Sequence, residues 1–346
     1  MKELEKIQSN QDRLKIGLRN SLILDTYFPK LSQYVPAIIP NDYIILAGRT
    51  GTGKSRMLRT FIKVIISDAK KYNYQAKVFL NALEETPERI RAAWVLQKLI
   101  TDYNINMTFY DLMGYKGRIH TLEESKAIEK CYQSFYDEVH PYLDIVAIRQ
   151  PFGFYKYVRE WAYGKGKFYY DQRDNDRIVS SREVDPKTEA YSRFEPHDPN
   201  LKVYVATDHI LFYAPEKGKS KWETIIDYSK TYCRGMLNNV YNFTVINLSQ
   251  FSAESEKKQF NLKGQNIVEK LEPDLTSFAE VKPIVDDATI VWGMFYPKRY
   301  GIKKHNGFEV FDTMRSMHLL KTREGRADDI ISFQMLPEKE LMVELK

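Results

Sequence analysis

At 346 residues, 43% of them apolar, a fraction normal for a soluble protein, the chain can bury a sizeable core as one large α/β domain with appendages or two ordinary ones. Its 52 Lys and Arg against 46 Asp and Glu leave a net charge of +6, an excess compatible with a polyanionic partner but too small to require one. Two distant cysteines, Cys131 and Cys233, exclude a disulfide framework and a cysteine zinc site; the charged start (Lys2, Glu3, Glu5, Lys6) does not read as a signal peptide, and no apolar run approaches membrane-spanning length, so a soluble, cytoplasmic protein is expected.

Residues 1 to about 22 read as a polar helix with a thin apolar stripe of Leu4, Ile7, Leu14, Ile16 and Leu18. Such a stripe buries little alone, so the helix is expected to dock on the body of the chain or on a neighbouring subunit. A connector with Pro29, Pro36 and Pro40 follows, giving a division into 1–38, helix and linker, and 39–346, the main domain. The first core strand, Tyr43 to Ala47, runs into Gly48-Arg49-Thr50-Gly51-Thr52-Gly53-Lys54-Ser55, and a helical pattern continues through Met57, Leu58, Phe61, Ile62 and Ile65. Strand, glycine-rich loop and helix in this order cradle nucleotide phosphates: successive N–H groups turn towards one anion and the helix N-terminus adds partial positive charge. Lys54 is expected at the β- and γ-phosphates and the Ser55 hydroxyl on Mg²⁺.

A second buried strand, Lys77 to Asn81, ends in Ala82-Leu83-Glu84-Glu85-Thr86, and a helix starts at Pro87, a residue suited to a first helical position. Another helix over 120–139, a strand from Leu143 to Ile148 and a short helix from Phe154 to Tyr163 follow. Between 164 and 200 the periodicity disappears and charge dominates, which predicts an inserted hairpin or loop with Lys167-Phe168-Tyr169-Tyr170 on one arm. Its aromatic and basic residues suit stacking of single-stranded bases, or simply a solvated hairpin. Strands then read from Lys202 to Asp208 and, after a helix over 220–239, from Phe243 to Gln250; a polar loop spans Phe251 to Glu280. Later strands are Thr289 to Phe295, Met317 to Thr322 and Ile330 to Gln334. The fold class is α/β, a mostly parallel sheet with helices on both faces.

In an open parallel sheet the ligand lies beyond the carboxyl ends of the strands, which puts Lys54, Ser55, Glu84, Asp208 and Gln250 on one rim. Asp208 terminates an apolar strand, where a carboxylate is costly without a cation, so Mg²⁺ is its natural partner. Glu84 is suited to orient the attacking water, with Glu85 its neighbouring rival, and Gln250 to sense the γ-phosphate. The six histidines show no metal-ligand spacing; His209 stands beside Asp208 and has no assigned chemistry beyond a supporting place.

The order of these features resembles the RecA-like P-loop ATPase domain of the DnaB-type replicative helicases, phage members included. The matching pieces are Gly48 to Ser55, Ala82-Leu83-Glu84 before a helix, Thr207-Asp208-His209-Ile210, Leu248-Ser249-Gln250-Phe251-Ser252, Asp274-Leu275 to Asp286-Asp287-Ala288, and Leu320-Lys321-Thr322-Arg323-Glu324-Gly325. The resemblance implies an ATP- and Mg²⁺-dependent helicase moving on single-stranded DNA as a homo-oligomeric ring, usually a hexamer. It further implies that Lys321 and Arg323 act on a neighbour's γ-phosphate, and that the 251–280 loop tracks the strand through Lys257, Lys258, Lys263 and Lys270. The chain departs from the family in having only residues 1–47 ahead of the phosphate loop, where a helical domain that engages primase usually stands, and Thr276 where an arginine is common. A loader or primase remains an expected partner class. A RecA-like recombinase forming filaments, or an ATP switch such as a helicase loader, are the alternatives.

Overall fold

The computed structural model describes residues 2–16, 19–174, 177–252, 271–322, 327–336 and 340–346. The chain opens with helix α1 (Lys2–Lys15) and an antiparallel ribbon of β1 (Leu22–Ile23) and β2 (Ala37–Ile38), then enters the core as β3 (Tyr43–Gly48). Helix α2 (Lys54–Lys71) and β4 (Ala76–Ala82) lead to three helices, α3 (Pro87–Tyr103), α4 (Phe109–Leu112) and α5 (Leu122–Glu138). After β5 (Leu143–Val146) and α6 (Pro151–Ala162) come β6 (Gly166–Asp174), β7 (Arg177–Val184), β8 (Arg193–Pro196) and β9 (Lys202–Asp208). Helix α7 (Lys221–Asp227) continues as a π-helical segment, Tyr228–Asn238, before β10 (Thr244–Ser249). Helix α8 (Lys282–Asp287), β11 (Ile290–Phe295), the ribbon of β12 (Lys304–His305) and β13 (Phe308–Glu309), and then β14 (Met314–Lys321), β15 (Ile330–Leu336) and β16 (Leu341–Glu344) complete it.

The main sheet has nine strands in the order β16-β15-β14-β11-β3-β10-β9-β4-β5. From β11 to β5 all neighbours are parallel, and β14, β15 and β16 extend the sheet antiparallel. Every residue of β3, β9, β10 and β11 is buried, as a sheet covered on both faces requires. Because side chains alternate along a strand, Ile44 and Leu46 join one layer with Met57, Phe61 and Ile65 of α2, while Tyr43, Ile45 and Ala47 join the other with Phe154 and Val158 of α6 and Ile284 of α8. In the first layer Phe61 stacks on Trp292 at 5.3 Å and meets Phe28 at 5.1 Å, so the connector after β1 is part of the core. Helices α3 and α5 share a satellite cluster of Ala92, Val95, Leu99, Ala127 and Cys131.

Residues 166–196 form a separate three-stranded antiparallel sheet, β7-β6-β8. It is pinned to the body: Phe168, 2% exposed, meets Phe194 at 5.0 Å and Tyr241 at 5.9 Å, the Tyr191 and Tyr241 hydroxyls lie 2.7 Å apart, and the Phe194 amide donates to the Val240 carbonyl. Phe168 is therefore closed to base stacking, and Tyr169 lies under the Arg193 guanidinium at 4.3 Å, whereas Tyr170 is exposed. Helix α1 ends at Lys15, earlier than the apolar stripe suggests; Leu4, Ile7 and Leu14 are exposed, while Arg13 donates to the Pro199 carbonyl and to Asn20. Leu18 lies outside the described residues. Among the described residues no helix is long and apolar enough to cross a membrane.

Candidate nucleotide site

The loop leaves β3 at Gly48, where any Cβ would sit 2.8 Å from the Met294 carbonyl of β11, and turns through Gly53 at φ +93°, a conformation that costs a side-chain-bearing residue dearly. Inside the turn the Thr52 hydroxyl and the Lys54 ammonium both donate to the Arg49 carbonyl, at 2.8 and 3.1 Å. Burial lowers the Lys54 pKa, and the charges of Glu84 and Asp208 work against that shift. A lysine so placed is held against the turn by a carbonyl, a bond that phosphate oxygens could replace.

Strand pairing carries the carboxylates to this loop. Ala82 of β4 lies opposite Asp208 of β9, so Glu84, just past β4, and Asp208 leave adjacent strands at the same edge. Ser55 donates its hydroxyl to Asp208 Oδ1 at 3.0 Å. Asp208 is 2% exposed, and burial first, then the charge of Glu84, pushes its pKa up to about 6, opposed by the Ser55 hydrogen bond and by Arg59. A hydroxyl and a buried carboxylate on one side of a phosphate-binding turn are hard oxygen donors that fit Mg²⁺ carried on a nucleotide. Among the described residues no group of three or more His, Cys, Asp or Glu could hold a metal by protein ligands alone.

Glu84 and Glu85, adjacent and ambiguous in sequence, part company here. Glu84 is exposed, and its charge acts on Lys54, Asp208 and His209. Glu85 instead takes the Arg59 guanidinium of α2 at 3.3 Å, and Arg59 also meets Glu340 at 3.1 Å, where Arg56 pairs at 2.8 Å. Glu340, through Arg56 and Arg59, and the Met342 amide, which donates to the Thr60 hydroxyl at 3.0 Å, fasten the last strand to α2.

Gln250 follows β10 and spans two partners: its amide donates to the Thr50 hydroxyl at 3.0 Å, and its oxygen faces His209 Nε2 at 3.1 Å. With the amide oriented so, His209 carries its proton on Nε2. Burial lowers its pKa, its Nδ1 is buried without a hydrogen-bond partner, and its backbone stands at φ +76°, in the left-handed region. His209 thus joins the site as the far end of a Thr50–Gln250–His209 chain. Its position after Asp208 was the sole sequence signal, since nothing local announces a left-handed histidine. Arg49 donates to the Tyr300 hydroxyl and Arg299 to the Thr50 carbonyl at 2.8 Å, contacts from beyond β11 that no motif disclosed.

Lys321 is not part of this cluster. Lys321 lies opposite Val291 near the start of β11, at the other end of the sheet from the loop, and donates to the Val285 and Asp286 carbonyls at 2.7 and 3.1 Å. Arg323, Lys257, Lys258, Lys263 and Lys270 lie outside the described residues. Thr276 donates its hydroxyl to Asp274 at 2.7 Å.

Among solved structures, the fold matches the ATPase domain of G40P with a TM-score of 0.65 at 13% identity, over 99% of this chain and 98% of that one. It also matches a DnaB-like replicative helicase, described with its interactions with primase, with a TM-score of 0.63 at 14% identity; the match covers 99% of this chain and 66% of the helicase. No protein-family model and no curated protein matches the sequence. The chain has the fold of a DnaB-type helicase ATPase domain, a RecA-like α/β sheet.

Proposed function

We propose that this protein is an ATP-dependent DNA helicase that translocates on single-stranded DNA and hydrolyses ATP at the subunit interfaces of a homo-oligomeric ring, hexameric by resemblance. The observation that carries the reading is one cluster, Lys54, Ser55, Asp208, Glu84 and Gln250 around a phosphate loop, on a fold shared with helicase ATPase domains. In this reading the loop amides of Gly48 to Ser55 and the Lys54 ammonium bind the phosphates, and Glu84 orients a water in line with the γ-phosphorus and draws off its proton. Water oxygen bonds to phosphorus as the bond to the ADP oxygen breaks, releasing phosphate. Ser55 and Asp208 would hold Mg²⁺, which supplies charge neutralisation on the β- and γ-phosphates. Gln250 reads the γ-phosphate and passes its loss to the chain that follows Ser249.

Lys321 ends β14 opposite Val291, at the end of the strands away from its own loop, since β14 runs antiparallel to β11. By resemblance Lys321 and Arg323 take a role in trans, as cations from a neighbour that stabilise transition-state charge and tie hydrolysis to subunit movement. The exposed Leu4, Ile7 and Leu14 of α1 supply an apolar face for docking on that neighbour. A loader or a primase is the further partner class.

The test is the ATPase rate with and without single-stranded DNA, together with forked-duplex unwinding and particle shape in ATP and Mg²⁺. DNA stimulation, unwinding and closed rings are expected; a monomer without stimulation sinks the proposal, and filaments with strand pairing would move it to a recombinase. Lys54→Ala should abolish hydrolysis, and Arg323→Ala should bind nucleotide without turnover. Mixing the two should restore activity, and a mixture dead at every ratio removes the trans assignment.

A further inference from the structure

The turn that follows β11 holds the phosphate loop at two successive residues. Arg49, 7% exposed, donates to the Tyr300 hydroxyl and stands 5.4 Å from the centre of that ring, while the neighbouring Arg299 donates to the Thr50 carbonyl at 2.8 Å. Thr50 is also the residue whose hydroxyl Gln250 holds. Two successive loop residues are thus clamped by one short helical turn, Pro297–Tyr300.

Behind the clamp lies a packed wall. The Tyr300 ring stacks on Phe295 at 5.4 Å and 7°, and Phe295 meets His305 at 5.5 Å and His318 edge-on at 5.7 Å. His305 lies 3.3 Å from Glu272 through Nδ1 and 2.9 Å from the Ser316 hydroxyl through Nε2. Pro273 sits so close to β11 that a Cβ on Gly293 would fall 2.5 Å from its own Cβ. Phe251 meets Phe278 edge-on at 5.2 Å, and the Ser252 amide donates to the Ser277 carbonyl at 3.0 Å. A crevice lined by Arg49, Thr52, Phe251, Glu272, Phe295 and Tyr300 brings the two together. The chain that leaves the sheet after Gln250 and returns at Leu271 is therefore anchored, at both ends, on the wall that also braces the phosphate loop.

We infer that Tyr300 is a positioning residue of the phosphate loop, and that the wall Arg49–Tyr300–Phe295–His305–Glu272 links nucleotide occupancy to the 271–278 segment as a route separate from Gln250. Both links rest on the function proposed above, the link to nucleotide only on its ATP binding at the loop and the link to DNA also on its helicase activity. Its physical basis is that packed aromatic stacks move between discrete arrangements rather than yielding gradually, so a displaced Arg49 repositions Tyr300 and the rings behind it.

Amide hydrogen exchange of the full chain, with and without a non-hydrolysable ATP analogue and Mg²⁺, tests it. In the wild type the analogue should slow exchange across 271–278 by about five-fold or more, the lower end of ordinary coupling between sites. Tyr300→Phe keeps the stacked ring, and so the fold, but removes the acceptor for Arg49, and should lose that response. Glu272→Gln should keep basal ATP turnover while its stimulation by single-stranded DNA falls by about five-fold, and the double variant should lose no more than the single ones. The inference is overturned if the wild type shows no nucleotide-dependent protection there, if Tyr300→Phe retains it, or if the two substitutions act additively. A wild type that shows the protection but no DNA stimulation retires the helicase reading and leaves the nucleotide link standing.

Discussion

Asp208→Asn sets the cost of burying a charge against the use made of it. Burial and Glu84 raise this carboxyl from 3.8 to about 6 in the fold. A carboxyl whose folded pKa lies above its unfolded one is penalised in its ionised form, fully above about pH 6 and not at all once both states are protonated below about pH 4. At about 1.4 kcal/mol for each pKa unit, the ionised group costs the nucleotide-free protein about 3 kcal/mol at neutral pH. Asn keeps an Oδ1 acceptor for the Ser55 hydroxyl and removes the charge. The variant should therefore be more stable than the wild type by about 3 kcal/mol at pH 7.5, the gap narrowing to about 1 kcal/mol at pH 4.5. Urea denaturation at both pH values, without nucleotide, measures it. Added ATP and Mg²⁺ should reverse the order, because ligand stabilisation grows with affinity and the variant lacks the carboxylate for the cation. A variant no more stable than the wild type at pH 7.5, or a gap that does not close on acidification, refutes the reasoning.

The two adjacent glutamates should separate cleanly. Glu84→Gln is expected to lower turnover by about 10²- to 10⁴-fold with nucleotide affinity nearly unchanged, whereas Glu85→Gln should mainly cost stability, about 1–2 kcal/mol, by taking one partner from the buried Arg59; single-turnover hydrolysis and thermal melts distinguish them, and equal losses of turnover would undo the assignment. Phe168→Ala should destabilise the protein by about 3–5 kcal/mol, read by denaturant unfolding, while Tyr170→Ala should leave stability within about 0.5 kcal/mol; a reversed order would mean that the small sheet is not seated as described.

The geometry of the candidate site was legible where its determinants are local. β3, the loop and α2 occupy one continuous stretch, and the loop's glycines, Lys54 and Ser55 each carry their reason within it. Glu84, Asp208 and Gln250 were legible for a related reason: each follows an apolar run, and an apolar run that stops at a polar residue marks a strand end even when its neighbours are unknown. Contacts between remote segments left no such trace. Glu340 reaches Arg56 across 284 positions, and Tyr300 reaches Arg49 across 251. The inserted hairpin with Lys167 to Tyr170 on one arm was legible, as β6 and β7, but its buried face was not, because Phe168 and Phe194 pack against Tyr241 and Phe243, partners supplied by another part of the chain.

Glu84 and Glu85 show how such remote contacts decide chemistry. Both follow β4, and both carry the charge needed to orient a water. What separates them is Arg59, three residues past Arg56 on α2, which holds Glu85 and is itself held by Glu340 from the turn just before the last strand. With Glu85 tied to α2, its neighbour is left to face the loop, and the charge that acts on Lys54 and Asp208 is chiefly that of Glu84. The antiparallel extension of the sheet therefore does more than widen it: by delivering Glu340 to α2, β16 helps to determine which of two identical side chains is left beside Lys54 and Asp208. A motif can name the residue types a reaction needs, but the choice between neighbours of the same type is made by packing.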